Sequence, residues 1–480
     1  MTHKKKENDL FNTSITRRDA LKLMGGTAAL AGASSLGLTE NLFAQGSSRP
    51  NVLFILTDDH RWDVMGAMGH PFIQTPNMDR LANEGVLFEN AFVTSSLCSP
   101  SRASFLTGQY ASVHGVVNNF SRWDPETNIT YMQHFKEAGY ATSFIGKWHM
   151  PGTGTGLPEL PGVDLFVSFT RKDGQGDYWD CPIYKNYELV TEERNSYITT
   201  DLTDYAVDFV KENQETPFCM YLSHKAVHHD WRPPEHLKGK YDDADLSFLA
   251  PEGDKYNTWT NNNFIEGGLD NMHTRYRRYC ECLESVDEEI GRLLSALEET
   301  GQLDNTIIVY AGDNGYIFGE HRLIAKHCAY EESIRIPYVV RAPGFINDPG
   351  RRADQMVLNL DLSPSLLEMC GIPVPDSVQG ESFAPILRNA SATGRESFVY
   401  ELFRDFPFGG RVPPHKALRT EKYKYIEWEA CREPELYDLE NDPREMNNLI
   451  GTTEGELLEP ELAAELESLR QRFNLRPGMV

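Results

Sequence analysis

One cysteine opens the segment with the most chemical promise, Ser95-Ser96-Leu97-Cys98-Ser99-Pro100-Ser101-Arg102, which continues Ala103-Ser104-Phe105-Leu106-Thr107-Gly108. Pro100 and the short helical pattern after it place Cys98 just before, or in, the first turn of a helix. There the free backbone N–H groups and the helix dipole favour negative charge. A nucleophile acting on an anionic ester suits such a position. Taken alone, a cysteine at a strand-to-helix corner reads as a packing residue. Its distant partners decide between the two.

Those partners lie at the ends of apolar runs. Residues 51–57 form a short continuous hydrophobic stretch, the pattern of a strand buried on both faces, and it stops at Asp58-Asp59-His60. The strand read at 141–145 stops at Gly146-Lys147-Trp148-His149, and that at 218–222 runs into Ser223-His224-Lys225-Ala226-Val227-His228. The strand at 306–310 stops at Gly312-Asp313-Asn314-Gly315. Helices are expected between them, from Thr75-Pro76 to Gly85, over 131–138, over 198–212 and over 275–297, with a further strand within 86–92. This alternation predicts an α/β fold, a doubly wound, mostly parallel sheet flanked by helices. In such sheets ligands gather at the carboxyl ends of the strands.

Each polar pair alone reads as a turn or a cap. Four of them at strand ends read as a site. Aspartate and asparagine are hard oxygen donors that suit Ca²⁺ or Mg²⁺ rather than zinc. After about residue 375 the texture changes to short strands, over 398–403, 416–420 and 422–428, and a closing helix over 459–472. That pattern predicts a smaller C-terminal antiparallel sheet with a packed helix. Two stretches, 152–191 and 231–264, read as long surface excursions, where substrate contacts often lie.

Cys98-Ser99-Pro100-Ser101-Arg102 with its trailing Ala103 to Gly108 resembles the signature of type I sulfatases of the alkaline phosphatase superfamily, and the resemblance runs in order from about Arg49 to the C-terminal region. It implies that Cys98 is oxidised by a formylglycine-generating maturation enzyme to Cα-formylglycine, whose hydrate is a geminal diol. It also implies a Ca²⁺ ion (Mg²⁺ as the alternative) held by Asp58, Asp59, Asp313, Asn314 and residue 98, with Arg102 steadying the hydrate. One diol oxygen would attack sulfur, with Asp313 as the neighbouring carboxylate. Lys147, Lys326 and His228 would surround the sulfate and the leaving oxygen. His228 or Lys326 would protonate the leaving alcohol, and His149 would take the proton of the second hydroxyl. Ala325 stands where relatives often carry an acidic residue before the lysine. Among the three histidines of 223–229, the resemblance favours His228, with His224 and His229 as structural or substrate-side alternatives. His321 is read as either substrate-facing or structural.

The chain has 480 residues, enough for more than one core, and a net charge of −25. That charge argues against a nucleic-acid partner, which would call for a broad basic face. Thr16-Arg17-Arg18-Asp19-Ala20-Leu21-Lys22, followed by the small-residue apolar run 23–38, resembles a twin-arginine export signal cleaved near Ala44. The run falls short of the ~20 strongly apolar residues that span a bilayer, so no stable membrane span is expected. The expected organisation is an export signal at 1–44, a catalytic domain at 49–375 and a C-terminal subdomain at 376–480, in a periplasmic or secreted protein. Eight cysteines, at 98, 181, 219, 280, 282, 328, 370 and 431, show no dense disulfide or zinc spacing.

The segments His114 to Asn119 and Asp313 to Tyr316 resemble carbohydrate sulfatases, N-acetylglucosamine-6-sulfatases among them. The expected substrate is therefore a sulfated saccharide: a glycosaminoglycan, mucin or algal glycan. Asn118 and Asn119 are read as sugar contacts or loop residues, and Trp179, Trp231 and Arg232 as a sugar platform or packing anchors. Two rival readings are a phosphonate or phosphodiester hydrolase of the same superfamily and an inactive glycan-binding homologue whose Cys98 stays a thiol. Peptide mass spectrometry across residues 98–102, on protein from a maturation-competent host, is expected to find the thiol replaced by an aldehyde. An unmodified thiol there would contradict the catalytic reading.

Overall fold

The run Asn51–Thr57 is a strand buried along its whole length. Its side chains alternate between two cores, as the two-residue period of a strand requires. Val52, Phe54 and Leu56 pack into one cluster and Leu53 and Ile55 into the other. At about 1.5–3 kcal/mol for each large aliphatic side chain removed from water, this strand alone anchors the centre of the sheet. The computed structural model describes residues 49–150, 157, 159–170, 174–190, 196–249, 268–404, 412–429 and 433–476. The export signal read at 1–44 lies outside the described residues, as do parts of both long excursions.

The expected α/β sheet is present, with ten strands. Asn51–Thr57 pairs in parallel with Phe218–Ser223 on one side and with Thr306–Gly312 on the other. Phe218–Ser223 in turn pairs in parallel with Ala141–Gly146. The four strands whose ends carry the polar pairs are thus adjacent and point the same way. Tyr338–Arg341 lies antiparallel beyond Thr306–Gly312, and the small Tyr184–Lys185 strand is antiparallel at the other flank, so the sheet is mixed but mostly parallel. Main-chain bonds extend the ladder past the strand ends, from Asp58 N to Ala226 O, Val227 N to Asp58 O, Asp313 N to Thr57 O and Lys147 N to Ser223 O.

Helices Pro76–Glu84, Tyr131–Glu137 and Ile198–Glu212 fall where the periodicity places them. The long helix is longer than expected, Gly268–Glu299. The stretch 86–92 divides into Val86–Phe88 and Ala91–Phe92.

The C-terminal sheet comprises Ser397–Leu402, His415–Thr420, Tyr423–Trp428 and Glu435–Asp438, antiparallel throughout. Its last strand was not expected from sequence. The closing helix is Thr453–Arg472, starting a turn and a half before the expected 459 and running through Pro460. The Thr452 side chain caps it by accepting from Gly455 N. Cys98, Cys219, Cys280 and Cys282 are buried free thiols. Among the described residues no helix is long and apolar enough to cross a membrane.

Gly146 makes the turn out of its strand with φ +116°, and a Cβ there would lie 1.8 Å from the Ser223 carbonyl oxygen. No neighbour can yield, because that oxygen accepts the Lys147 N–H. Gly146→Ala is expected to cost roughly 3 kcal/mol or more in urea unfolding, from strain and displaced backbone together. An unchanged midpoint would refute this account of the turn.

Candidate active site

Helix Cys98–Thr107 is buried at every residue, and Gly108 ends it in the left-handed conformation. The helix delivers Cys98 in its first turn and Arg102 one turn later. Cys98 Sγ lies 3.6 Å from Asp58 Oδ1, 2.9 Å from Lys326 Nζ and 3.7 Å from Lys147 Nζ. Lys147 pairs with Asp58 Oδ2 and Lys326 with Asp59 Oδ1. Arg102 donates through Nε to Asp313 Oδ2 at 2.9 Å and through Nη1 to Lys147 O at 3.0 Å. Its Nη2 sits 2.8 Å from Asp313 and 3.8 Å from Asp58.

Asp58, Asp59 and Asp313 each bring a carboxylate oxygen within 4.8 Å of the others. Burial pushes the Asp58 carboxyl up, but Lys147, His228, Arg102 and Lys326 outweigh it and hold the group well below the usual range. Asp313 goes the other way, to about 6, because burial and the charge of Asp58 outweigh Arg102 and Lys326. Lys326 is held well above its ordinary value, burial being overcome by Asp59 and its neighbours. Burial drives the Cys98 thiol to about 12 despite the two lysines. The unmodified side chain is therefore a neutral thiol and a poor nucleophile.

The donor set fits a hard divalent cation. Asp59 Oδ1 accepts from Asn314 Nδ2 at 2.7 Å, so the amide must turn its oxygen the other way. That Asn314 Oδ1 and the second Asp59 oxygen are both buried without a hydrogen-bond partner. Three carboxylates and an amide oxygen are the ligand chemistry of Ca²⁺ or Mg²⁺.

The histidines divide by environment. His228 comes within reach of Asp58 and Cys98. Its Nδ1 faces His229 O at 2.7 Å, and since a carbonyl only accepts, Nδ1 carries the proton and Nε2 turns toward Asp59 Oδ2, 3.9 Å away. His229 stacks on His228 and also approaches Asp59. Burial holds both well below or below the ordinary value, and His149 well below it as well. His224 is buried with neither ring nitrogen partnered, lowered by burial to about 3, and belongs to the core. His321 stacks on Tyr330 at 4.0 Å beside Glu332.

The ten residues expected to act in catalysis or to hold the cation thus lie together around helix Cys98–Thr107. Asp59 and His149 both have left-handed φ values of 56° and 59°, uncommon for residues with side chains. Several neighbours were not named. Ser223 Oγ donates to Lys147 O at 3.0 Å, Tyr178 OH donates to His228 O at 2.6 Å, and Gln175 bridges Lys147 and His149. Asn119 Oδ1 accepts from Ser99 N at 3.0 Å, and Asn118 Nδ2 donates to Arg404 O at 3.1 Å, so both residues tie the loop. Trp231 donates to Val227 O and packs on Tyr279, Tyr316 and Phe318. It is a packing anchor.

Comparison with known proteins shows the family. The family model described as "Sulfatase" matches residues 50–372, and that described as "N-sulphoglucosamine sulphohydrolase, C-terminal" matches 319–472. An N-acetylglucosamine-6-O-sulfatase of Bacteroides thetaiotaomicron is 31% identical, covering 96% of this chain and 92% of the relative. An ulvan-active sulfatase of Formosa agariphila is 30% identical, over 87% and 80%. A solved structure in complex with its substrate, D-glucosamine-2-N,6-O-disulfate, superposes with a TM-score of 0.80 at 31% identity, over 89% of this chain and 98% of the other. A phosphonate monoester hydrolase of Agrobacterium radiobacter shares the fold, with a TM-score of 0.73 at 23% identity, over 88% and 96%.

The raised Asp313 sets a pH dependence. Pushed up to about 6 from the ordinary carboxylate range, Asp313 makes a contribution to stability that is present at low pH and lost as pH rises through about 6. A cation bound there competes with the proton and relieves the repulsion once Asp313 ionises. Calcium is therefore expected to raise the melting temperature more at pH 8 than at pH 5, by calorimetry on metal-free and calcium-loaded protein. Equal shifts at both pH values would contradict the assignment of Asp313 to the cation site.

Proposed function

This chain belongs to the sulfatase family and is a sulfuric ester hydrolase, and from that premise we propose that it is an exported enzyme removing sulfate from a carbohydrate. The observation that carries the reading is the enclosure of residue 98 by Lys326, Lys147 and Asp58 at 2.9–3.7 Å, beside three clustered carboxylates. The relatives named for N-acetylglucosamine 6-O-sulfate and for ulvan, and the structure bound to a glucosamine disulfate, support a sulfated glycan as substrate. The twin-arginine-like segment at 16–22 supports export.

Conversion of Cys98 to hydrated formylglycine supplies an oxygen nucleophile with a second hydroxyl. Asp58, Asp59, Asp313, Asn314 and residue 98 would hold Ca²⁺, which supplies a fixed positive charge for the sulfate oxygens. Arg102 stands behind residue 98, with its guanidinium locked onto Asp313 and the Lys147 carbonyl, and orients the nucleophile. Lys147 and Lys326 present N–H groups where charge grows on the sulfate, the kind of preorganised contact that is worth several kcal/mol in a buried site. His228, with Nε2 toward the centre, serves the leaving alcohol together with Lys326. His149 takes the proton of the second hydroxyl, so that sulfate leaves and the aldehyde returns.

A screen of defined sulfated saccharides, with released sulfate as the readout, tests this directly. Wild type is expected to desulfate at least one of them. Cys98→Ala and Asp313→Ala are expected to lose turnover while keeping a native circular-dichroism spectrum. Strong preference for an aryl phosphodiester over an aryl sulfate, or activity retained in either variant, would overturn the reading.

A further inference from the structure

Gln175 has no counterpart among the residues named from sequence, yet it touches two of them. Its Oε1 lies 2.6 Å from Lys147 Nζ, and its Nε2 lies 2.9 Å from His149 Nε2. An ammonium group only donates, so the amide must present oxygen to Lys147. That settles the orientation of the amide, and its NH₂ therefore faces His149. An N–H can be received there only by a lone pair. His149 Nε2 is consequently unprotonated, and the ring proton sits on Nδ1.

The backbone holds this contact in place. Gly174 has φ +91°, and a Cβ on it would come 3.1 Å from His149 Cδ2 and 3.2 Å from His149 Cα. The chain thus lies directly on the imidazole, closer than most residues with side chains would allow. Ser99 Oγ donates to His149 O at 2.6 Å, which ties the backbone of His149 to the helix that carries residue 98.

We propose that Gln175 is a positioning residue that keeps His149 as the Nδ1–H tautomer, so that Nε2 keeps an unprotonated lone pair as the proton acceptor for the second half-reaction. This rests on the role proposed above for His149. In that step the O–H bond of the second hydroxyl breaks and its proton goes to Nε2. A carbonyl forms at residue 98, and sulfate departs with the electron pair of the broken C–O bond. The incoming proton displaces the amide hydrogen bond. A proton already on Nε2 would leave this one nowhere to go.

Two variants separate the proposal from a merely structural role. In the calcium-loaded, formylglycine-bearing enzyme labelled with ¹⁵N-histidine, the His149 signals, assigned by their loss in His149→Gln, are expected to report Nδ1–H. Gln175→Glu replaces the donor facing Nε2 with an acceptor, and is expected to switch the ring to Nε2–H. With 4-nitrophenyl sulfate, Gln175→Met is expected to lower kcat at least about tenfold and KM with it. Its kcat/KM, which reports the first half-reaction, should stay within about threefold. Nε2–H in wild type, no tautomer change in Gln175→Glu, or wild-type kcat in Gln175→Met would each overturn the proposal. Failure of wild type to release sulfate from any ester would instead overturn the function proposed above, a result the tautomer measurement does not depend on.

Discussion

Three carboxylates buried at one point are the constraint that everything else around helix Cys98–Thr107 answers. Asp58, Asp59 and Asp313 are essentially inaccessible to water. Their oxygens lie within 4.8 Å of one another, and at about 4 Å and an effective dielectric of about 20 a pair of like charges repels by roughly 4 kcal/mol. Arg102, Lys147 and Lys326 offset that repulsion, each seated on one of the three. Removing a single partner from such a cluster leaves an uncompensated buried charge, at a cost of about 3–5 kcal/mol. The arrangement is poor economy for stability alone. Apolar side chains of similar volume would fill the space at lower cost, which marks the cluster as a device for handling charge.

The sheet makes this concentration possible. Four adjacent parallel strands end on one edge, and each contributes from its own end. Cys98 and Arg102 come from helix Cys98–Thr107, and Lys326 comes from a further segment outside those strands, steadied from the C-terminal sheet. Glu331, five residues on, is gripped by Arg419 and by Lys424 at 2.8 Å, and Lys424 also meets Glu445 at 2.7 Å. Burial pushes Glu331 up, but Arg419 and Lys424 dominate and hold it well below its usual range. On the opposite side, Tyr400 of the same sheet bonds Ser96 Oγ at 2.7 Å, two residues before Cys98. The C-terminal sheet therefore braces both the nucleophile segment and the lysine that faces it.

How much of this was legible in the sequence follows from what leaves a local trace. Continuous apolar runs that stop at Asp58, Lys147, Ser223 and Asp313 announce buried parallel strands and their ends, so the fold and most of the site could be placed. Gln175 leaves no such trace. It lies between two glycines in an irregular excursion, and its significance arises only when that excursion folds back over His149. The strand Glu435–Asp438 is four residues long and carries two acidic side chains, Glu435 accepting from Tyr330 and Tyr437 and Asp438 facing Lys422, so tertiary contacts override a weak local preference. Pro460 marks a boundary to the eye, whereas the Thr452 cap sets the helix start a turn and a half earlier. The choice of His228 over His224 came from the resemblance, because only the path of the backbone after Ser223 shows that four residues separate a core histidine from a site histidine.

The same burial bears on how residue 98 acquires its chemistry. A thiol raised to about 12 is ionised at pH 7 only about once in 10⁵ molecules, so neither lysine rescues it as a nucleophile. An oxygen function in its place meets a different environment, since hard donors and cations already converge there. Yet Cys98 has no exposed surface in the folded protein, and the helix that carries it is buried on every side. On the proposed reading, a maturation enzyme must therefore meet the 98–102 segment before that helix docks. Twin-arginine export, which carries folded proteins, would place both events on the cytoplasmic side in a fixed order. The packing that makes the pocket dry enough for strong electrostatics thus also closes the period in which its nucleophile can be made.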